Sequence, residues 1–362
     1  MSAPVSESDF WRGKKVFITG HTGFKGSWLA LLLRYLGAEV SGFSLSLPSD
    51  PCMFSLLDLG GCLAADLRGD IRNPEHLNDA IAEAKPDIVF HLAAQTLVRR
   101  AYKNPSETFS TNVLGTLNVL EASRAAQSVR VIINVTTDKC YENKEQIWGY
   151  RENDPLGGDD PYSASKGCAE ILSASWRKSF CPLDLIAEHG LSMATVRAGN
   201  VIGGGDWADD RIIPDCVRAF GSGKPLVLRN PGAVRPWQHV LEPLRGYVML
   251  AEHLWDNPLS FSGAWNFGPD TTGHWPVLRV AEAVRDAFGC GEIVTDKGDN
   301  PRESSFLYLD SSKALSRLEW RSRLTTKDVI DRTVSWYKAQ ASEPDGILAF
   351  TKEQIEEYIT SI

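Results

Sequence analysis

Cysteine is present in this sequence but nowhere organised. The seven, at positions 52, 62, 140, 168, 181, 216 and 290, are odd in number and never in C-x-x-C spacing. That pattern argues against a disulfide frame and a cysteine-held zinc site; no metal is expected, and the thiols should be reduced, with Cys140 a small apolar filler. Basic charge is also scarce. Against 46 Asp and Glu stand 38 Lys and Arg, a net charge of −8, and no basic run offers a footprint for nucleic acid. No stretch of 18 apolar residues is available to span a membrane. Residues 1–10 carry neither the basic nor the apolar region of a secretory signal, so the expected location is the cytoplasm. An internal repeat and a low-complexity linker are missing too, which leaves an ordinary folded chain.

What is there is a chain of 362 residues, longer than one hydrophobic core usually supports, so a large domain carrying a smaller one is expected. Lys15–Thr19 reads as a short strand. It opens into Gly20-His-Thr-Gly-Phe-Lys-Gly26, and Ser27–Leu36 reads as a helix closed by Gly37. Strand, glycine turn and helix in succession are the context in which a glycine motif has meaning. Gly20 permits the tight turn, Gly23 lets backbone approach a pyrophosphate, and Gly26 allows close helix–strand packing. The helix N-terminus then offers free N–H groups and the positive end of a dipole to phosphate. His21 and Lys25 add cationic contacts there, although Lys25 reads equally well as a solvated loop lysine.

The next strand, Ala38–Ser44, ends without the acid that would hold an adenosine ribose and without an arginine for a 2′-phosphate. Ser44 takes that place, and modest dinucleotide affinity is the expectation. Asp66 and Leu67, before the next turn, are candidates for an adenine contact. Pro86–Ala94 is a further buried strand; Ala93 and Ala94 leave room for a cofactor backbone, and Gln95 opens the loop beyond.

Val131, Ile132, Ile133 and Val135 make a β-branched strand that stops at Thr136, Thr137, Asp138 and Lys139. Ligands of open α/β sheets sit beyond the carboxyl ends of the strands, so chemistry is expected at these four polar side chains. Tyr162 and Lys166, four apart on a helix, share one face. A nearby ammonium favours the phenolate and lowers a tyrosine pKa from its ordinary value of about 10. Such a pair can take a proton from a hydroxyl while a hydride leaves the same carbon. Tyr-x-x-x-Lys alone is weak; its position after a Thr-Asp-Lys strand end and a glycine turn makes it specific. A helix is expected from about Thr108 to Ala126, and a strand at Met193–Asn200. Beyond that strand the chain is loop-rich and reads as a substrate-binding region. Trp148, Trp207, Trp237 and Trp265 read as walls of a pocket or, equally, as packing under long loops. From Thr325 to Ile362 the sequence reads as an amphipathic helical cap.

The glycine turn, the His91–Ala94 strand end, Tyr162-x-x-x-Lys166 and Arg197-Ala-Gly-Asn200 resemble the extended short-chain dehydrogenase/reductase family over nearly the whole chain. Within it, Gly20–Gly26, Thr136–Asn143, Arg197–Trp207 and Arg235–Pro243 are similar to CDP-glucose 4,6-dehydratases. Related dTDP-glucose dehydratases carry Thr-Asp-Glu where this chain has Thr-Asp-Lys, so Lys139 is the discriminating residue. The resemblance implies an α/β fold: a Rossmann-type doubly wound parallel sheet with a smaller, mostly C-terminal substrate-binding domain. Residues 1–190 would form the dinucleotide-binding domain and 191–362 mostly the substrate-binding one, with some segments returning to the sheet. It implies NAD as cofactor, held by Gly20, His21, Gly23, Phe24, Lys25, Gly26, Ser44, Asp66, Leu67, Ala93, Ala94 and Thr136.

The resemblance also implies CDP-glucose or a related NDP-hexose as substrate, contacted by Gln95, Asn200, Arg211, Arg235, Asn266 and Arg302. Arginine suits a diphosphate through its planar fork, while Arg302 reads equally as a surface residue. Five residues would be catalytic: Thr137, Asp138, Lys139, Tyr162 and Lys166. Tyr162, held as phenolate by Lys166, takes the C4 hydroxyl proton and Thr137 bonds the same oxygen. Lys139, if neutral, takes the C5 proton, and Asp138, if protonated, donates to the departing C6 hydroxyl; burial favours both forms. An inert Asp138–Lys139 ion pair is the competing arrangement. Relatives pair through two helices per subunit, here Thr108–Ala126 and Tyr162–Phe180, which implies a homodimer or homotetramer. Other NDP-sugar 4,6-dehydratases, a 4-epimerase, and a catalytically silent nucleotide-binding protein remain rival readings.

Overall fold

The computed structural model describes residues 9–296 and 306–360. Among them, β1 (Lys15–Thr19), β2 (Glu39–Ser44), β3 (Ala65–Arg68), β4 (Ile88–His91), β5 (Val131–Val135), β6 (Ser192–Arg197) and the strand Gly263–Asn266 form one sheet. Every pairing in it is parallel. Every residue of β4, β5 and β6 is buried, the pattern of strands covered on both faces by crossover helices. The order runs Gly263–Asn266, β6, β5, β4, β1, β2, β3. Winding therefore reverses between β1 and β4, and ligand crevices of such sheets open at the carboxyl ends beside that point.

On one face, Val16, Ile18, Phe90, Ile133 and Val196 pack with the Phe24–Tyr35 helix and with helices Leu241–Asp256, Thr326–Ser342 and Ile347–Thr360. On the other, Phe17, Val89, Ile132 and Met193 lie under Leu77, Ile81, Val119, Leu120 and Trp176. Each large side chain so buried contributes roughly 1.5–3 kcal/mol. Outside the sheet, short strand pairs such as Val201–Ile202 with Gln238–His239, and Val234–Pro236 with His274–Pro276, brace the loop-rich part. No helix of the described residues is long and apolar enough to cross a membrane.

Three expectations change. The C-terminal cap is two helices, Thr326–Ser342, started by a capping box of Thr325 and Asp328, and Ile347–Thr360, with Pro344–Gly346 at the break. The helix expected over 108–126 begins at Pro105 and carries a π turn at Ser110–Leu114, whose Asn112 amide donates to Gln95 O and Ser165 Oγ, both at 2.9 Å. Three of the four singled-out tryptophans are packing rather than pocket wall: Trp237 and Trp265 are core residues and Trp207 stands edge-on to Tyr337. Trp148 is exposed.

Candidate active site

β5 delivers its last apolar residue, Val135, and the chain then turns through a short 3₁₀ segment, Asp138–Cys140. Thr137 shapes that turn: its hydroxyl accepts from Lys139 N at 3.3 Å and donates to Asp138 Oδ1 at 3.0 Å. Asp138 is only 2% exposed, and its Oδ2 has no hydrogen-bond partner. Lys139 is half-buried. No ion pair joins Asp138 to Lys139 among the described residues, so the inert salt bridge is not the arrangement adopted. Cys140 is buried beside Tyr141 and Leu309, and burial pushes its thiol well up.

Pro161–Phe180 supplies the second half of the cluster. Asp160 caps this helix through Oδ1, which accepts from Tyr162 N at 2.9 Å and Ser163 N at 3.0 Å, with Pro161 preset for its first turn. Tyr162, 7% exposed, directs its hydroxyl at the Thr137 side chain. Lys166 Nζ donates to Val135 O at 3.2 Å. Without cofactor, burial pushes Tyr162 up to about 12, against the lowering hydrogen bond from Thr137, the opposite direction to the lowering expected from Lys166. Burial likewise lowers Lys166 to about 8, with Glu170 opposing.

Behind these groups lies a buried ion pair that the sequence reading missed. Glu170 Oε1 accepts from Arg197 Nε at 3.0 Å and Oε2 from Arg197 Nη2 at 2.8 Å. Thr136 Oγ1 and Thr195 Oγ1 donate to the same carboxylate at 2.5 and 2.8 Å. Arg197 also donates to Tyr141 Oη at 2.6 Å and Glu152 O at 3.2 Å. Thr136 thus spends its hydroxyl proton on Glu170, and its oxygen keeps acceptor capacity. The signal was available: Glu170 lies one turn beyond Lys166, and Arg197 ends a strand buried throughout.

The glycine turn suits a dinucleotide. Gly20 adopts φ +79°, and a Cβ there would stand 2.7 Å from Ala93 N, while one on Gly26 would overlap Gly20 O. The Phe24–Tyr35 helix starts at Gly23 with no side-chain cap and no acid in its first turn, so its N–H groups are free for an anion. Phe24 lies over Gly203 and Ala93 and Ala94 are half-buried. Lys25 is half-buried, not solvated; burial, with Arg211 next, lowers it to about 8, and it feels Asp138 and Lys166 as well. His21 corrects the expectation of a cationic phosphate contact. Its ring is buried between Ser44 Oγ at 3.0 Å and Asp66 Oδ1 at 2.7 Å, with both nitrogens turned to these partners, and burial lowers its pKa against the raising pull of Asp66. Asp66 accepts from His21 and, at 2.7 Å, from Arg68, and stays a quarter exposed, while the Leu67 side chain packs on the Phe17–Phe43 cluster. The register sets Arg68 opposite Ser44, a guanidinium at the ribose end that the search along β2 overlooked.

The expected substrate contacts divide. Gln95 is a loop staple, its amide donating to Leu97 O and Thr108 Oγ1 and accepting from Leu97 N. Asn266 is tied into the protein, accepting from Tyr141 Oη at 2.8 Å and donating to Tyr150 O and Asp310 O. Both amides spend their N–H donors inside the protein, which leaves each side chain only the second lone pair of its oxygen for a ligand. Arg211 pairs with Asp206 at 2.8 Å and reaches Thr96 at 3.4 Å, and its charge is felt at Tyr162 and Lys25. Asn200 takes the left-handed conformation, φ +44°, next to Gly199, and Arg235 is half-buried in the Val234–Pro236 strand. Arg302 lies outside the described residues.

Residues 16–261 match the model of the NAD dependent epimerase/dehydratase family. The chain is 46% identical over 356 residues to CDP-glucose 4,6-dehydratase of Salmonella typhimurium, covering 98% of this chain and 99% of that one. It is 30% identical to a dTDP-glucose 4,6-dehydratase of Streptomyces antibioticus, over 75% and 76% of the two chains. In fold it is similar to DesIV, the dTDP-glucose 4,6-dehydratase of Streptomyces venezuelae, solved with NAD bound, at a TM-score of 0.76, 23% identity and 91% and 99% coverage. A UDP-glucose 4-epimerase of Thermotoga maritima gives a TM-score of 0.76 at 20% identity, over 90% and 99% of the two chains. The parallel sheet, the glycine turn and these matches have one common origin: the chain belongs to the NAD dependent epimerase/dehydratase family, within the extended short-chain dehydrogenases/reductases.

Proposed function

We propose that this protein is an NAD-dependent hydro-lyase that converts CDP-D-glucose to CDP-4-keto-6-deoxy-D-glucose. The observation that carries the reading is a single cluster: Thr137, Asp138, Tyr162 and Lys166 gathered at the end of β5, with Lys139 next to them. The cytidine is supported by the 46% identical Salmonella relative. Gly20, Gly23 and Gly26, with the uncapped helix that follows, would hold NAD. When bound, NAD⁺ supplies the acceptor and later the donor of hydride, and its positive charge favours the Tyr162 phenolate. Tyr162 takes the proton of the sugar's C4 hydroxyl while Thr137 hydrogen-bonds that oxygen; Lys166 keeps positive charge in the site. The C4 ketone acidifies C5–H, which Lys139 removes as a neutral amine. Asp138, as the acid, protonates the C6 hydroxyl; the C6–O bond breaks, water leaves and C5=C6 forms. Lys139 returns a proton to C5 as C6 is reduced, so the reaction has no net redox change. Arg211 and Arg235 are proposed to meet the diphosphate.

Two coarser features join the reading. We propose a homo-oligomer, supported by Leu114 and Ile171, 56% and 58% exposed on the two helical segments expected to pair. A cytoplasmic setting is supported by seven free cysteines. Incubation with CDP-, dTDP-, UDP- and GDP-glucose, with and without added NAD⁺, tests the function. A 4-keto-6-deoxy product from CDP-glucose alone is expected. Turnover of another nucleotide sugar in preference would overturn the base assignment, and an epimerised sugar the reaction class.

A further inference from the structure

Behind Asp138 sits a group of buried polar atoms that the proposed reaction does not use. Asp138 Oδ2, Gln238 Oε1 and Tyr247 Oη are each buried without a hydrogen-bond partner. A chain of contacts gathers them. A Cβ on Gly199 would overlap the Asp138 carboxylate. Gln238 Nε2 donates to Gly199 O at 3.2 Å and to Phe267 O at 3.0 Å, and the Tyr247 ring stands edge-on to Phe267 at 5.6 Å. Burial, then the Asp138 charge, raises the Tyr247 pKa, so its hydroxyl stays a donor.

Buried polar atoms in native proteins are almost always joined, and each left alone costs about 1–3 kcal/mol. These three are complementary to a single water. It can accept from Tyr247 and donate to Gln238 Oε1 and Asp138 Oδ2, three bonds in all, about the number a buried water makes. When Asp138 is protonated the water turns to accept from it and still donates to Gln238. We propose that Tyr247 and Gln238 are positioning residues for Asp138, which hold its carboxyl through one shared buried water and keep it aimed in both protonation states. The proposal rests on Asp138 being the general acid.

The test compares Tyr247→Phe and Asp138→Asn on CDP-glucose and on CDP-6-deoxy-6-fluoroglucose. With the fluoro sugar, Lys139 takes the C5 proton, the C6–F bond breaks and fluoride departs as an anion, with no proton needed from Asp138. On CDP-glucose, Tyr247→Phe should lower kcat about tenfold or more at unchanged KM, while fluoride release stays near that of the unaltered protein. Asp138→Asn should show the same split, deeper. Equal losses of Tyr247→Phe on both substrates, or none on either, would overturn the inference while leaving the dehydratase reading intact. Unimpaired Asp138→Asn on CDP-glucose would overturn the role of Asp138 itself. Independently of any variant, a high-resolution crystal structure should show one water within hydrogen-bond distance of all three atoms, and its lack there would sink the inference.

Discussion

Asp138 and Glu170 are both buried carboxylates of the same site, and they are built differently. Glu170 accepts from Arg197 twice and from Thr136 and Thr195, and these partners together outweigh burial and lower its pKa. Asp138 has one protein partner, Thr137, and one oxygen with none. A carboxylate so fully satisfied is fixed in charge and place, which suits a frame. An acid must change protonation during a cycle, and saturation with donors would hold it permanently ionised. On the proposed mechanism, satisfaction, rather than burial, separates the structural charge from the reactive one.

The sharpest way to break this contrast is to neutralise each side in turn. Asp138→Asn should lower kcat by about a hundredfold to ten-thousandfold without lowering the melting temperature, since no ion pair is lost. Comparable turnover by Asp138→Asn would end the comparison. Glu170→Ala should instead lose about 3–5 kcal/mol of stability, read from urea unfolding, because Arg197 is left buried and unpaired; adding Arg197→Met should recover much of it.

A half-buried carboxylate extends the series. Glu252 has one partner, Trp11 Nε1 at 2.5 Å, and burial raises it to about 7 from 4.5. As an acid with a raised folded pKa, it costs nothing below its ordinary value. It costs progressively more as the pH rises to about 7, where the loss levels off at roughly 3 kcal/mol. Glu252→Gln, which can still accept from Trp11, should match the unaltered protein in acid and exceed it in stability above neutrality. A parallel pH dependence in the two would refute the assignment. The smallest effect concerns Tyr162: in the cofactor-free protein, difference absorbance against Tyr162→Phe should show no tyrosinate up to a pH of about 10. An earlier titration would mean that Lys166, not burial, governs the phenol.

Local pattern made much of this legible. The β-branched run ending at Thr136–Lys139 and the glycine turn declare the strand ends, because strand period and turn chemistry act over a few residues. Side-chain direction did not follow so simply. Asn266 looked like a ligand, yet its strand pairs in register with β6, Asn266 opposite Arg197, and the turn of Tyr150 and Asp310 closes over it. Gln95 folds back on Leu97 and Thr108 for the same reason: its partners come from a helix start that no local pattern locates. His21 was misjudged because Ser44 and Asp66, distant in sequence, converge on its ring. Arg68 was overlooked because the ribose end was sought on β2 alone, whereas β3 brings its last residue alongside.

One measurement goes to the centre of the account, in which Lys139 exchanges a proton at C5 while Asp138 expels the C6 hydroxyl. CDP-glucose turned over with NAD⁺ in deuterated water should give a 4-keto-6-deoxy sugar carrying one solvent deuterium at C5. A product with no deuterium at C5, or a sugar that has changed configuration and kept its C6 hydroxyl, would contradict it.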